Sequence, residues 1–264
     1  MNINTYIPVE SLRPYILTYI IVESEDGLAN RVLPDTSLVL AFRFKGRLSY
    51  TYDGAKNEVP FATLSGIRKS PRLYNYSINT GNILVLFKEA GAAAFFKIPL
   101  HQLYDDCVPL DNFLNHQKIS MIEEQLAEAK DNAQRIDLVE RFLLSELSDY
   151  KPDNLILSAL QMIHSVKGNI RIKELADSLY ISHDAFEKRF RRVAGTSPKQ
   201  FSSLIRLKSI TDGGRQKPNL IELAFDTGYF DQAHFNKDFK LFTGQTPTDF
   251  FKFPSFLQIT DFLQ

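Results

Sequence analysis

Residues 172–195, IKELADSLYISHDAFEKRFRRVAG, and residues 220–244, LIELAFDTGYFDQAHFNKDFKLFTG, are two copies of one pattern. Aligned on Glu-Leu-Ala the copies lie 48 residues apart, and aligned on the later Phe-x-x-x-Phe they lie 49 apart, so the turn of the second copy holds one extra residue. Each copy predicts a short helix, a tight turn and a second helix. This helix-turn-helix arrangement places its second helix in a DNA major groove.

The apolar residues of both copies recur at the spacing of a packed helix. They are Leu175, Ala176, Leu179, Phe186, Phe190 and Val193 in the first copy and Phe235, Phe239 and Phe242 in the second. Ser182 and Asp231 stand at N-cap positions, where a side-chain oxygen accepts a free backbone N–H and contributes about 1 kcal/mol. The second helix of each copy therefore buries one face and leaves the other outside.

The outer faces of these two helices are expected to meet solvent or a DNA groove. They carry His183, Asp184, Glu187, Lys188 and Arg191 in the first copy and Gln232, Ala233, Asn236, Lys237 and Lys240 in the second. Asparagine and glutamine pair with adenine, glutamate accepts from the cytosine amino group, and lysine binds guanine or phosphate. Taken singly, each residue fits an ordinary solvated surface equally well, but two such faces together favour DNA. His234 lies at the edge between core and groove, where a buried, hydrogen-bonded histidine and a phosphate contact are both open interpretations.

Residues 151–264 resemble the DNA-binding domain of the AraC/XylS family of bacterial transcription regulators. The matching segments are Glu-Leu-Ala at 174–176, Phe186-x-x-x-Phe190, GTSPKQF at 195–201, Arg206-Leu207 and, above all, DTGYFDQAHFNKDFKLFTGQTP at 226–247. The resemblance implies a seven-helix domain in which a long helix, here from Pro198 to about Thr211, joins two helix-turn-helix units. Asp212-Gly213-Gly214 departs from the family, and because each glycine costs about 1 kcal/mol inside a helix, a short helix or a flexible joint is predicted there.

The first part of the chain has the pattern of a small β-rich domain. Runs rich in β-branched and aromatic residues span 37–44, 47–52, 62–67, 72–78 and 82–88, with turn signals between them. Their spacing predicts an antiparallel sandwich or barrel. Apolar residues at helical spacing predict one helix from Ser120 to about Lys130 and another to about Leu147.

A polar segment with a proline, SDYKPDN at 148–154, separates this part from the repeat. We therefore expect an α+β protein of two domains. Residues 1–150 would form a cupin-like β-barrel or sandwich with helices, and residues 151–264 an all-α domain with two helix-turn-helix units.

Aromatic residues of the predicted strands are candidates for an effector site. They are Phe42, Phe44, Tyr50, Tyr52, Tyr74, Tyr76 and Phe87. A barrel that they line would hold an apolar or aromatic effector; the alternative is that they only fill the core. The segments at 33–42 and 87–106 also resemble the sensor domains that precede this DNA-binding domain in many family members. No metal or other cofactor is expected, because no histidine stands before His101 to build a cupin metal site.

The distribution of charge supports this division. The chain is neutral overall, but residues 1–150 carry 15 basic and 19 acidic side chains, whereas residues 151–264 carry 16 and 12. A basic half suits the neutralisation of DNA phosphates. No apolar run approaches the roughly 20 residues of a membrane span, and the N-terminus lacks a basic region followed by an apolar stretch, so we expect a soluble cytoplasmic protein.

Catalysis is not expected. The single cysteine, Cys107, cannot build the zinc–thiolate cluster of alkyl-transferring repair enzymes, and no Gly-x-Ser-x-Gly, phosphate-binding loop or His-Glu-x-x-His occurs. The sequence predicts a transcription regulator that binds double-stranded promoter DNA, acts on RNA polymerase and responds to a small molecule. The alternatives are a homodimeric DNA-binding protein without an effector and a DNA-repair enzyme fused to this domain.

Overall fold

Two β-sheets face each other in the N-terminal half of the protein. The computed structural model describes residues 1–52, 54–214, 222, 224–225, 227–229, 231–252 and 256–257. The first sheet contains, in spatial order, β1 (Asn2–Tyr6), β2 (Ile16–Ser24), β9 (Thr80–Phe87), β4 (Val39–Lys45), β7 (Ala62–Ser65) and β10 (Cys107–Pro109). The second contains β11 (Phe256–Leu257), β3 (Leu28–Val32), β8 (Arg72–Tyr76), β5 (Leu48–Tyr52) and β6 (Ala55–Glu58). The described strands thus form a sandwich and not a closed barrel.

Alternation along the central strands gives the first sheet two apolar faces, because successive side chains of a strand point to opposite sides. One face belongs to the main core and carries Tyr19, Ile21, Leu40, Phe42, Ile83, Val85 and Phe87. The other packs toward the second sheet and carries Ile20, Val22, Val39, Leu84 and Leu86. Strands buried on both faces need apolar residues at odd and even positions alike, which is why β9 contains the continuous apolar run ILVLF.

Helices cover the main-core face of the first sheet. Short 3-10 helices at Gly91–Ala94, Leu100–Leu103 and Leu110–Asn112 precede α1 (His116–Glu128) and α2 (Asn132–Glu146). The carboxylate of Asp131 caps α2 by accepting a hydrogen bond from the N–H of Gln134 at 2.8 Å. Phe142 of α2 meets Phe42 of β4 edge-on, with 5.6 Å between ring centroids. The predicted helical pair is therefore confirmed, and it packs on its own sheet.

The described helices of the C-terminal half are α3 (Asn154–Ser165), α4 (Ile172–Ser178), α5 (His183–Ala194), α6 (Pro198–Gly214), α7 (Gln232–Thr243) and α8 (Pro247–Lys252). Helix α6 passes its predicted end near Thr211 and includes Gly213 and Gly214. Two glycines cost only about 2 kcal/mol in a helix, less than the burial of the leucines and isoleucines of α6 contributes. The segment 215–221 that would continue the predicted joint lies outside the described residues.

Several strands carry no pattern that predicts them. Residues 55–58, AKNE, form β6 although all four are exposed, because the hairpin with β5 supplies the hydrogen-bond partners. Conversely, β2 is buried on both faces and so lacks the alternation of a half-exposed strand. None of the helices in the described part of the chain is long and apolar enough to cross a membrane.

The two halves of the protein share one hydrophobic core. Helix α5 packs against the 3-10 helix Leu100–Leu103. Where α5 ends, a methyl group on Gly195 would lie 3.4 Å from Leu38 of the N-terminal half. The first helix-turn-helix unit is therefore docked on the β-rich half through apolar side chains.

Candidate nucleic-acid interface

The turn of the first copy depends on one strained residue. Tyr180 adopts the left-handed conformation, with φ of 55°, and the N–H of Ile181 donates to the carbonyl of Ala176 at 3.2 Å. A side chain in this conformation costs about 1–2 kcal/mol relative to the right-handed one. The Tyr180 side chain is 98% exposed and recovers none of this by burial.

The second copy makes the same turn with a residue suited to it. Gly228 is left-handed, with φ of 84°, and the N–H of Tyr229 donates to the carbonyl of Ala224 at 3.1 Å. Tyr180 and Gly228 lie 48 residues apart, whereas the N-caps lie 49 apart. The extra residue of the second copy therefore stands between Tyr229 and Asp231 in the sequence.

Matching caps fix the ends of α5 and α7, the second helices of the two copies. Ser182 and Asp231 each accept a hydrogen bond from the backbone N–H three residues on, at 3.4 and 2.7 Å. At the other ends Gly195 and Gly244 are left-handed, with φ of 85° and 75°. Both predicted N-caps are confirmed, and the two helices have the same length.

Matching aromatic contacts hold α5 and α7 each on the helix that follows it. The rings of Phe190 and Phe201 meet edge-on at 5.6 Å between centroids, and those of Phe239 and Phe250 at 5.2 Å. All four side chains are buried. The residues that orient the two helices therefore repeat in space as they do in the sequence.

The side chains predicted to contact DNA lie on the outer faces of α5 and α7. The exposed ones are His183, Asp184, Lys188 and Arg191 on α5 and Gln232, Ala233, Asn236, Lys237 and Lys240 on α7, while Glu187 is half-buried. The structure thus brings each set together on one helix surface. Their contact with DNA stays a prediction.

The two outer faces differ in charge. Among the five predicted contact residues of α5, two acidic residues accompany two basic ones, and a carboxylate oxygen of Glu187 lies 3.6 Å from the guanidinium of Arg191. On α7 the five predicted contact residues include Lys237 and Lys240 and no acidic residue. Lys237 and Lys240 form no ion pair with a described residue, and the ion-pair contact within α7 is His234 with Asp238. The two lysines can therefore attract phosphate without first separating such a pair.

His234 lies beside the α7 face and not in the core. Its side chain is half-exposed, its ring lies 5.4 Å from that of Tyr229, and Nε2 is 3.5 Å from a carboxylate oxygen of Asp238. This position resolves the two interpretations of His234 in favour of the surface. Its contact with a phosphate stays a prediction, because Nε2 already has Asp238 as a partner.

The N-terminal half reaches the edge of the α5 face. His101, from the 3-10 helix Leu100–Leu103, lines a surface depression together with Asp184, Glu187, Lys188 and Arg191. Its Nδ1 atom is buried and has no hydrogen-bond partner among the described residues. A DNA groove that received α5 would therefore also come close to the β-rich half.

Among the described residues, ion pairs at two places connect the halves at the rim of the shared core. Lys208 of α6 lies 3.2 Å from a carboxylate oxygen of Asp35, and His164 of α3 lies 2.8 Å from Glu89. The hydrogen bond to Glu89 raises the pKa of His164 above its ordinary value of 6.5, against a smaller opposing effect of burial. The rim contact at α3 therefore depends on protonation.

Sequence reasoning did not select a second basic surface, near the start of α4. Arg171, Lys173, Lys199 and Arg206 line one depression there, together with Glu174, whose carboxylate lies 3.2 Å from the guanidinium of Arg171. The first helix of a helix-turn-helix crosses the DNA backbone, so these side chains are candidates for phosphate contacts. The basic run KGNIRIK at 167–173 is the signal that could have found them.

A separate cavity of about 90 Å³ lies between the two β-sheets and is partly open to solvent. Tyr74 and Tyr76, two of the aromatic residues predicted to line an effector site, lie on its wall. Tyr50 and Tyr52 instead flank the buried Arg72, whose guanidinium carbon is 4.7 and 5.3 Å from their ring centroids. Burial raises the pKa of Tyr76 well above its usual range.

Phe42, Phe44 and Phe87 lie elsewhere. They project from the helix-facing side of the first sheet, where Phe42 and Phe87 are fully buried and the guanidinium of Arg135 in α2 lies 4.2 Å from the Phe44 ring. The seven aromatic residues therefore do not line one common barrel. Residues of even number on β4 and of odd number on β9 point away from the cavity.

Two family models match the chain. One is described as a helix-turn-helix domain and matches residues 175–252, and the other as a domain of unknown function (DUF6597) and matches residues 4–109. The chain is 27% identical over 117 residues to an uncharacterized HTH-type transcriptional regulator of Haemophilus influenzae, and 29% identical over 119 residues to the Msm operon regulatory protein of Streptococcus mutans. Each match takes in 44% of this chain. The matched region covers 38% of the length of the first relative and 43% of the length of the second, so the chain spans less than half of each.

The comparison with solved structures finds regulators that resemble this chain at TM-scores below 0.5. ToxT from Vibrio cholerae is 11% identical, with a TM-score of 0.46 over 96% of this chain and 98% of ToxT. A structure of ToxT with a bound unsaturated fatty acid is 16% identical, with a TM-score of 0.42 over 95% and 94%. The AraC-like transcriptional activator CuxR is 16% identical, with a TM-score of 0.29 over 80% and 88%.

Proposed function

We propose that this chain, which belongs to the AraC/XylS family of helix-turn-helix regulators, binds promoter DNA with α5 and α7 in successive major grooves. The observation that carries the proposal is the duplicated unit, whose turns, caps and aromatic anchors coincide while its outer faces differ. Two recognition helices about 34 Å apart can enter successive grooves on one side of B-DNA. A shared scaffold with different outer residues suits a site of two different half-sequences.

The roles of the outer residues follow from their hydrogen-bonding groups. Asn236 and Gln232 can pair with adenine, and Glu187 can accept from the amino group of cytosine. Lys188 and Lys237 can bind guanine or phosphate. Because the α7 face is the more basic one, we expect it to supply more of the salt-dependent affinity and the α5 face to depend more on base contacts.

Control by the N-terminal half is the second part of the proposal. Residues 1–150 would bind a small-molecule effector and residues 151–264 would bind DNA, with RNA polymerase as the target of regulation. Asp35 supports this coupling, because it lines the cavity between the sheets and also pairs with Lys208 on the helix that joins the two units. A ligand that changes the position or charge environment of Asp35 would change the restraint on α6.

The decisive experiment starts with selection of bound sequences from random DNA by the full chain. On the selected site, Lys237→Ala should weaken binding and reduce the slope of log K against log salt by about 1. Asn236→Ala should relax the preference at one base position, by about 1–3 kcal/mol. Lys56→Ala, an exposed lysine on β6, is the matched control and should leave both quantities unchanged. Unaltered binding by both α7 variants would refute the groove assignment.

A homodimeric DNA-binding protein without an effector is the alternative from the sequence. Thermal-shift screening of the full chain against metabolites, beside size-exclusion chromatography with light scattering, separates the two. A regulator with an effector gains thermal stability with at least one compound. A plain dimer shows twice the monomer mass and no stabilisation by any compound.

A further inference from the structure

The cavity between the sheets has apolar walls and two polar ends. Ile20, Val39, Leu84 and Leu86 form much of its wall. One water needs roughly 10–15 Å³ of such free space, so about 90 Å³ holds several waters or a small organic group. The polar ends decide which kind of group this is.

Arg68 provides a buried positive charge at one end. It follows β7 in the chain, is 8% exposed, and its guanidinium donates to the carbonyls of Val32 and Leu33 at 3.3 and 2.8 Å. A guanidinium has five N–H groups, and the other three have no partner among the described residues. Burial lowers the pKa of Arg68, but a guanidinium stays protonated in proteins. The guanidinium carbon also lies 6.0 Å from the centroid of the Tyr74 ring on the cavity wall. The charge is therefore present and lacks an ion-pair partner among the described residues.

No carboxylate of the described residues forms an ion pair with Arg68. Asp35 lines the same end of the cavity, but its carboxylate accepts hydrogen bonds from Lys208 Nζ and from the backbone N–H of Ser37, both at 3.2 Å. An unpaired buried charge is costly, because the loss of hydration is not compensated. An anion in the cavity would compensate it.

Asn82 provides the second polar end. It is 2% exposed, and its Oδ1 atom has no hydrogen-bond partner among the described residues. It lies four residues before Leu86 on β9, a distance of about 13 Å along an extended strand. Leu86 pairs with Val39 of β4, and Val39 pairs on its other side with Ser65 of β7. Arg68 follows Ser65 by three residues, so this is the Arg68 end of the cavity. The cavity is thus an apolar slot with a cation at one end and an amide at the other.

We propose that this cavity binds a small apolar carboxylate, with Arg68 as the residue that recognises the carboxylate group. The proposal rests on the effector-controlled function above and names the chemical class of the effector. A guanidinium and a carboxylate form two parallel charge-assisted hydrogen bonds, and the aliphatic walls accept a hydrocarbon or aromatic body. A single buried arginine compensates the charge of a monoanion. A phosphate dianion would keep one uncompensated negative charge beside the carboxylate of Asp35. A hydroxyl at the far end of the ligand could donate to Asn82.

The test compares acids with uncharged compounds of matched size on the full chain. Hexanoate and benzoate, with hexan-1-ol and benzyl alcohol as their partners, are titrated by calorimetry. The acids should bind about ten- to a hundredfold more tightly than the alcohols, as expected for hydrogen bonds to a charged group. Arg68→Gln should abolish this preference while alcohol binding persists, and Arg68→Lys should retain part of it. Arg141→Gln removes an exposed charge on α2 and should change nothing.

Folding of the variants is checked by thermal melting. If Arg68→Gln fails to fold, Ala41→Leu takes its place: it fills the cavity without touching the cation, and it should block acids and alcohols alike. Equal affinity for acid and alcohol in the unaltered chain, no binding of any of the four compounds, or an acid preference that survives Arg68→Gln would each overturn the proposal.

DNA binding to the selected site is measured on the same samples. A chain that binds DNA but no carboxylate refutes only the ligand assignment. A chain that binds carboxylate but no DNA refutes the DNA-binding function and leaves the ligand assignment intact.

Discussion

The two helix-turn-helix units are nearly identical inside and differ in their surroundings. Both have a left-handed turn residue, a polar N-cap, a buried Phe-x-x-x-Phe pair and a glycine C-cap. The first unit packs by α5 on the 3-10 helix Leu100–Leu103. The second meets the N-terminal half through the two-residue pairing of β11 with β3 and through Gly244, where a methyl group would lie 3.4 Å from Pro71. Local sequence builds the unit, and its neighbours decide how firmly it is held.

Loss of a core phenylalanine should break this comparison most strongly. Phe190→Ala and Phe239→Ala each remove a fully buried ring, and each should cost about 3–5 kcal/mol. We expect Phe190→Ala to destabilise the whole chain, because α5 belongs to the core shared with the β-rich half, and Phe239→Ala to open mainly the second unit. Hydrogen exchange followed by mass spectrometry distinguishes these patterns. Equal loss of protection in the β-strands for both variants would mean that both units are held alike.

The turn of the second unit should be the next most sensitive site. A methyl group on Gly228 would lie 2.4 Å from Oδ1 of Asn169, in addition to the strain at a φ of 84°. Gly228→Ala should therefore lower the free energy of unfolding of the unit by about 2–4 kcal/mol, from backbone strain and overpacking together.

Gly54→Ala is the matched control for Gly228→Ala. Gly54 has a φ of 76° and nothing within 4 Å of the added methyl group, so only the strain of about 1–2 kcal/mol applies. Urea titration of both variants gives the two values. If they are equal, the contact between Asn169 and Gly228 has no energetic importance.

The pH dependence of stability should sharpen the comparison, because His164 is one of the residues that attach the first unit to the N-terminal half. Its ring also meets Phe201 edge-on at 6.1 Å. The pKa of His164 is raised in the folded state by Glu89, and Lys208 and Asp35 act on it as well. The stabilisation is therefore fully present below the unfolded pKa of about 6.5, and it is lost as pH rises through the higher folded pKa.

Thermal melting at a series of pH values measures this effect. Above pH 6.5 the melting temperature of the unaltered chain should fall more than that of His164→Gln. The variant lacks the pair with Glu89, so its melting temperature should lack the pH dependence that this pair causes. NMR titration of the imidazole gives the pKa directly. A folded-state value at or below 6.5 would contradict the role of Glu89.

The smallest effect is expected at the turn of the first unit. Tyr180→Gly relieves a left-handed side chain, but glycine costs more conformational entropy on folding. Because Tyr180 is exposed, the net gain in stability should be below about 1 kcal/mol. Denaturant titration measures it, and Tyr180→Ala, which keeps the strain, is the control. A loss of stability in the glycine variant would show that the tyrosine ring makes contacts that offset its strain.

Much of the C-terminal half could be predicted, because its signals are local. N-caps at Ser182 and Asp231, phenylalanines four residues apart and glycines after the last turn fix helix boundaries without reference to the rest of the chain. The strands were harder to predict. β1 and β6 have little apolar character and depend on neighbouring strands for their hydrogen bonds, so the chain around them carries no period-2 signal.

The effector site shows the limit of sequence reasoning most clearly. Aromatic content selected Phe42, Phe44 and Phe87, which lie on the far side of the sheet, and passed over Arg68 and Asn82, which line the cavity. Parity along a strand tells which residues share a face, but when both faces are apolar it does not tell which one borders a cavity.

The sequence by itself determined the two helix-turn-helix units, because caps, turns and apolar stripes are short-range and each unit carries its own complete set. Only the tertiary structure decided which surfaces the units meet. The docking of α5 on the β-rich half, the contact of Asp35 with Lys208 and the hydrogen bonds of Arg68 to the carbonyls of Val32 and Leu33 each join residues far apart in the chain. Their energies depend on burial and distance in the folded protein, which no local pattern encodes.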